Sequence, residues 1–385
     1  MQTSTDDQAL LALRGEFPIL ATKTYLINNS LGAMPRAVYD NLRAFADKWA
    51  TEGVVAWHDW LPMVTQTADL VGGLIGAPKG SMVMHQNVST LMAIVASALE
   101  YGKGRDGVVY TDQAFSTVHY LWSQQARRGA RVTVVKSHDG MTIDPEELEQ
   151  AIDERTKIVV LDHVFFRSSA LNDAKRIARR CHAVGALLLL DVYQSIGTVP
   201  FDVLDLDVDF LVGGSVKWLC GGPGAAYLYV RPSLLTKLEP WMVGWFSHKD
   251  PFHFDMQPID YADDIHRFMG GSPGVPALYS ARAGYEILAR VGVAKIRARS
   301  QKLTSRIYDK ALALGLTVNT PADPAARGGT ICVDFPGAEA AEQKLIDRGF
   351  VIDHRPRCGI RISPHFYNTE AECDAILDEI ATLRA

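Results

Sequence analysis

The sequence predicts an α/β fold: one large domain built on a mainly parallel sheet, followed by a small α+β domain. Two observations carry this. From about Met63 to Val230, short apolar runs alternate with amphipathic stretches of helical spacing, the pattern of successive βαβ units. After Pro276 the alternation gives way to a long helical stretch, then short strand-like runs mixed with two more helical ones. A chain of 385 residues also suits a large domain plus a smaller one better than a single core.

Taken in order, "GVVYTD" (107–112), "RVTVVKS" (131–137), "KIVVLDHV" (157–164), "ALLLLDV" (186–192), "DFLVGGS" (209–215) and "AAYLYV" (225–230) read as buried strands. Between them, "STVHYLWSQQARRG" and "SALNDAKRIARRCHAVG" have helical spacing, the second with basic residues late and a glycine stop, as helix C-termini favour. The stretch from Pro276 to Gly315 reads as one long helix broken near Gly292. "GGTICVDF", "GFVIDH" and "GIRISP" then read as short strands, and "GAEAAEQKLIDRG" and "TEAECDAILDEIATLRA" as helices. The expected division is an N-terminal arm (1–35) packing with the small domain, a large domain (36–275) and a small C-terminal domain (276–385).

Composition excludes several classes. The chain is 48% hydrophobic and 22% charged, with a formal net charge of −5, which leaves no electrostatic footprint for nucleic acid. The longest apolar run, "GALLLL", is far too short for a bilayer. The first residues, "MQTSTDDQALLALRGEF", lack the basic-then-apolar pattern of a signal peptide. Cys181, Cys220, Cys332, Cys358 and Cys373 are dispersed, with no CxxC pair. Such a set points to reduced thiols, a cytoplasmic setting and no zinc.

Two residues carry the chemistry. "GALLLLDVYQSIG" sets Asp191 directly after four leucines, and "FLVGGSVKWLCGGPGAAYLYV" threads Lys217 through an apolar, glycine-rich segment. Ligands of open parallel sheets gather at the carboxyl ends of strands, and a carboxylate there needs a cationic or protonated partner. Taken singly, Asp191 reads equally as a helix cap or turn residue, and Lys217 as a snorkelling lysine at a sheet edge. Taken together they fit pyridoxal 5′-phosphate: a lysine amine forms a Schiff base with its aldehyde, and an aspartate keeps the ring nitrogen protonated. The flanking glycines are expected to let backbone approach the cofactor closely.

Beyond these two residues, the chain resembles the fold-type I, class V aminotransferase-like superfamily over nearly its whole length, and within it is most similar to kynureninase. The likeness rests on "YLINNSLGAMP" (25–35), "DVYQSIGTVPFDV" (191–203), "SVKWLCGGPGA" (215–225), "VGWFSH" (243–248), "RFMGGSP" (267–273), "RGFVIDHR" (348–355) and "GIRISPHFYNT" (359–369), seven segments in family order. It implies an aspartate aminotransferase-like fold with a seven-stranded large sheet. By the resemblance, Lys217 is the cofactor lysine and Asp191 the ring-nitrogen partner. Phe115, which taken alone reads as core, stacks on the ring. Asn87 and Val88, at the start of a helix, hold the phosphate, a good use of helix N-terminal amides. Ser215, Trp245 and Ser272 are further phosphate contacts; the last two come from a partner subunit, which implies a homodimer with its site at the interface. Arg361 matches the arginine that clamps the substrate α-carboxylate, suited to that work by its bidentate fork.

The pattern is broken in several places. Val216 stands where kynureninase has a tyrosine before the lysine, Val118 replaces an aspartate, and Phe165 and Phe166 replace more polar residues. Gln194 sits where cysteine desulfurases use a glutamine on the cofactor's phenolic oxygen. Cys332 and Cys358 fall in no desulfurase-type motif. "VVAWHDWLPMV" (54–64) adds Trp57, His58 and Trp60; His58 reads as an acid–base group or as a solvated helix-face histidine. With Trp57 and Phe166, it completes the candidate substrate contacts. The expected function is side-chain cleavage of an α-amino acid, as a kynureninase-like hydrolase or a lyase acting by β-elimination. Transamination, epimerisation, decarboxylative deamination, cysteine desulfuration and a non-catalytic dimeric scaffold are the alternatives. No metal is expected.

Overall fold

The computed structural model describes residues 5–102, 104–254 and 256–384. The arm contributes a two-residue strand, β1 (Thr24–Tyr25). The large sheet is built from β2 (Met82–His85), β3 (Gly107–Thr111), β4 (Arg131–Val135), β5 (Thr156–Asp162), β6 (Leu187–Asp191), β7 (Phe210–Gly214) and β8 (Ala226–Val230). Its order is β2-β8-β7-β6-β5-β3-β4. Neighbours from β4 to β7 run parallel, whereas β8 is antiparallel to both β2 and β7. The reversal follows from the connection: residues 215–225 form a short loop, and a parallel return needs a longer crossover, usually a helix. β2 escaped the sequence reading because its four residues are too few to show a period.

The helical stretch after β5 starts at Ala174, with Asp173 capping the Arg176 N–H. Residues 170 and 171 instead bridge to Arg327 and Val164. "STVHYLWSQQARRG" is an α-helix only over Ser116–Ser123, continuing as a 3₁₀ turn.

The small domain adds β9 (Thr317–Val318), β10 (Ile331–Asp334), β11 (Phe350–Val351), β12 (Asp353–Arg355) and β13 (Gly359–Ile362). Four of these form an antiparallel sheet ordered β12-β13-β10-β9, while β11 pairs in parallel with β1 of the arm. The arm is pinned further by Asn28, whose side-chain N–H donates to Ser363 O at 2.8 Å. The long helix breaks at Gly292, which has φ 86°, into Val275–Val291 and Val293–Ala313. The first half buries Leu278, Ala281, Tyr285 and Leu288 in the large core. The second buries Leu303 and Ile307 in the small one. Ile296 still packs in the large core and Leu303 in the small one, so the chain passes between cores within the second half. Among the described residues, no helix is long and apolar enough to cross a membrane.

Candidate active site

The carboxyl ends of β5 and β6 and the loop after β7 open on a cavity of about 230 Å³. Asn87, Val88, Phe115, Phe166, Asp191, Gln194 and Lys217 all line it, as do Asp162 and Tyr193, which the sequence reading missed. Lys217 Nζ lies 4.3 Å from the Tyr193 ring centroid and 5.7 Å from that of Phe115. Burial, opposed by Asp191, brings the lysine pKa down to about 8. The amine is thus largely available as a nucleophile in mild base.

Asp191 accepts the Tyr193 backbone N–H at 2.8 Å. Burial pushes its carboxyl up to about 6, against that hydrogen bond and Lys217. At the same cavity, Asn87 caps the helix Val88–Ser97 by accepting the Thr90 N–H at 2.9 Å. Its first turn therefore presents free backbone N–H groups to the cavity, the arrangement that receives phosphate. Phe115 is not core: it is 45% exposed and meets Phe166 edge-on at 5.1 Å. Gln194 donates to Asn29 O at 2.9 Å and accepts from Trp218 Nε1 at 3.0 Å, which fixes its amide at the cavity wall.

Several expectations change. Of the glycines flanking Lys217, the pair before it makes room for the protein's own tyrosines: a Cβ on Gly214 would strike the Tyr193 ring, and one on Gly213 the Tyr227 ring, whereas Gly221 sits against Ser215 and Ala281. Ser215 does not line the cavity; its hydroxyl is engaged by Ala225 O at 2.6 Å and by Tyr285 OH. Arg361 is buried and held by Asp353, with Nε donating at 2.8 Å and Nη2 also bonded. Nη1 donates to Phe166 O at 3.1 Å. In the amide orientation that satisfies both its ends, the Asn29 oxygen also accepts from Nε and Nη1. Much of the arginine fork is therefore already bound. Trp57, His58, Trp245 and Ser272 are not brought to Lys217 within one chain; they line a separate cleft of about 790 Å³. Cys332 and Cys358 are buried, with both thiols against Arg167 O, and neither lines the lysine cavity.

The donor set suits pyridoxal 5′-phosphate: an amine, a carboxyl for a ring nitrogen, an aromatic face and a helix N-terminus surround one pocket. A family model described as aminotransferase class-V matches residues 24–376. The chain belongs to that family. Its cofactor is pyridoxal 5′-phosphate. The chain is 32% identical to YcbU of Bacillus subtilis, named an uncharacterized aminotransferase, over 95% of both chains. It is 30% identical to the kynureninase of Pseudomonas fluorescens, over 90% of this chain and 85% of that one. In fold it matches the apo cysteine desulfurase of Thermococcus onnurineus at a TM-score of 0.87 and 20% identity, covering 100% of this class V chain and 99% of that structure.

Proposed function

We propose that this class V enzyme is a homodimer that cleaves the side chain of an α-amino acid, by kynureninase-like hydrolysis or by β-elimination. The observation that carries it is the single cavity shared by Lys217, Asp191 and the helix N-terminus at Val88. When bound, pyridoxal phosphate supplies an aldehyde that captures amines and a ring that accepts electrons. The chain's own residues do the rest. With the cofactor bound, Asp191 would hold the ring-nitrogen proton, the Val88 turn would hold the phosphate, and Phe115 would stack on the ring. Arg361, kept in place by Asp353, binds the α-carboxylate through the Nη2 hydrogen that Asp353, Phe166 and Asn29 leave over. Lys217 Nζ, with a pKa near 8, takes the α-proton and returns it later.

The substrate is read as carrying a bulky apolar part, because Phe115 and Phe166 wall the cavity and Trp57, Trp245 and Phe252 line the second cleft. Large exposed side chains, among them Trp245, Phe252, Phe254 and Val54, support burial of that cleft against a partner. In such a dimer, Trp245, Ser272, Trp57 and His58 complete the partner's site. The free cysteines support a cytoplasmic setting for the reaction. A second reading, transamination, is favoured by the likeness to YcbU.

The test is a panel of kynurenines, cysteine conjugates and ordinary amino acids, with and without an α-keto acid, read by product mass. Release of anthranilate-type or thiol products without an α-keto acid supports side-chain cleavage. Turnover that requires the α-keto acid replaces it with transamination. A Lys217→Ala protein that still forms the visible cofactor band would remove the basis of both.

A further inference from the structure

Asp162 ends β5 as Asp191 ends β6, and the two are paired in the parallel register. Registered neighbours on adjacent strands project to the same face of a sheet, and both residues line the Lys217 cavity. Asp162 is 4% exposed. Its Oδ2 is buried with no hydrogen-bond partner among the described residues. An ionised oxygen left this way is costly, whereas a protonated one has a hydrogen to give.

The groups that act on the pair can be named. Lys217 acts on both carboxyls. Arg361 and Asp353 reach Lys217 from the small domain. Tyr193 and Tyr227 face Asp191 as neutral phenols. A lone lysine whose own charge is weakened by burial does not neutralise two adjacent carboxylates, so the pair does not ionise fully.

We propose that Asp162 and Asp191 share one proton, that Asp162 carries it and donates it to Asp191, and that Asp162 thereby tunes the hold of Asp191 on the ring nitrogen. No proton is gained or lost; the donated hydrogen stays on Asp162. Asp162 is a positioning residue acting through Asp191, and the inference rests on Asp191 as the ring-nitrogen partner.

The proton on Asp162 is tested in the apoprotein, without the cofactor. A carboxyl with a folded pKa above its unfolded value, about 4, contributes stability that is fully present below that value. The contribution is lost as pH rises through the folded pKa. Asp162→Asn keeps the shape and a donor but cannot ionise. The melting temperature of the variant should therefore gain on the wild type progressively as pH rises above about 4. Parallel curves would overturn the proposal.

The tuning is tested in the holoenzyme by the pH midpoint of its visible absorbance. Asp162→Asn should keep the wild-type midpoint and Asp162→Ala should move it by about half a pH unit or more. Equal shifts in both variants would mean an ionised Asp162, and no shift in either would mean no tuning; both overturn the proposal. A wild type without a visible band would instead sink the cofactor reading, and the tuning with it, while the apoprotein curves would still decide where the proton sits.

Discussion

At the scale of single residues, the environment of Lys217 suits the two roles proposed for it, nucleophile and proton carrier. Burial lowers its pKa to about 8 while Asp191 pulls the other way. The neutral amine is the nucleophile. The rate at which apoprotein takes up pyridoxal phosphate, followed by growth of the visible band, should rise about tenfold per pH unit below pH 8 and level off above it. A rate flat between about pH 6 and pH 10 would contradict the depressed pKa. Lys217 and Asp191 were legible because a buried lysine and a carboxylate after four leucines both violate ordinary burial preferences. Asp162 sends the same signal in "VVLDHV". It went unread because nothing in one strand says which strand will be its neighbour. Tyr193 lay inside a recognised segment, but its place over Lys217 depends on Gly214 lacking a Cβ.

Among the secondary-structure elements, the short strands of the small domain do more than close a core. β12 and β13 are antiparallel neighbours that set Asp353 opposite Arg361, and both are buried. Breaking a buried pair from one side leaves an uncompensated charge. Asp353→Ala should therefore lower stability by about 3–5 kcal/mol, measured by denaturant unfolding. The same change frees the arginine fork but loosens its aim, so KM for the amino acid should change more than cofactor affinity does. An unchanged KM would show that Asp353 does not position Arg361. "GFVIDH", read as one strand, is split between β11 and β12 in two different sheets, while "GIRISP" was readable as β13. The pairing was not, since cross-strand register is decided by the whole sheet.

At the scale of the whole molecule, two consequences follow from how distant segments meet. If Trp245 serves the partner's site, Lys217→Ala and Trp245→Ala proteins should complement. Mixed subunits would carry one site with both residues intact, restoring about a quarter of wild-type activity after random exchange. No recovery would place Trp245 in its own chain's site or in none.

The second consequence concerns acid. His163 and His365 are buried, and burial lowers each pKa to about 4. The unfolded chain takes protons at these groups first, so stability should fall as pH drops from 6.5 towards 4. His365→Gln should flatten that part of the melting curve; an unaltered slope would mean the histidine is charged in the fold.

The sequence by itself determined the strand–helix alternation, the break at Gly292, the lysine and its aspartate, because each is a local signal of period, breaker or misplaced charge. Only the tertiary structure decided that β8 runs backwards, that Gly213 and Gly214 serve Tyr227 and Tyr193, that most of the Arg361 fork is already engaged, and that a second carboxyl stands beside Asp191. Each of these depends on contact between residues far apart in the chain, which no local pattern encodes.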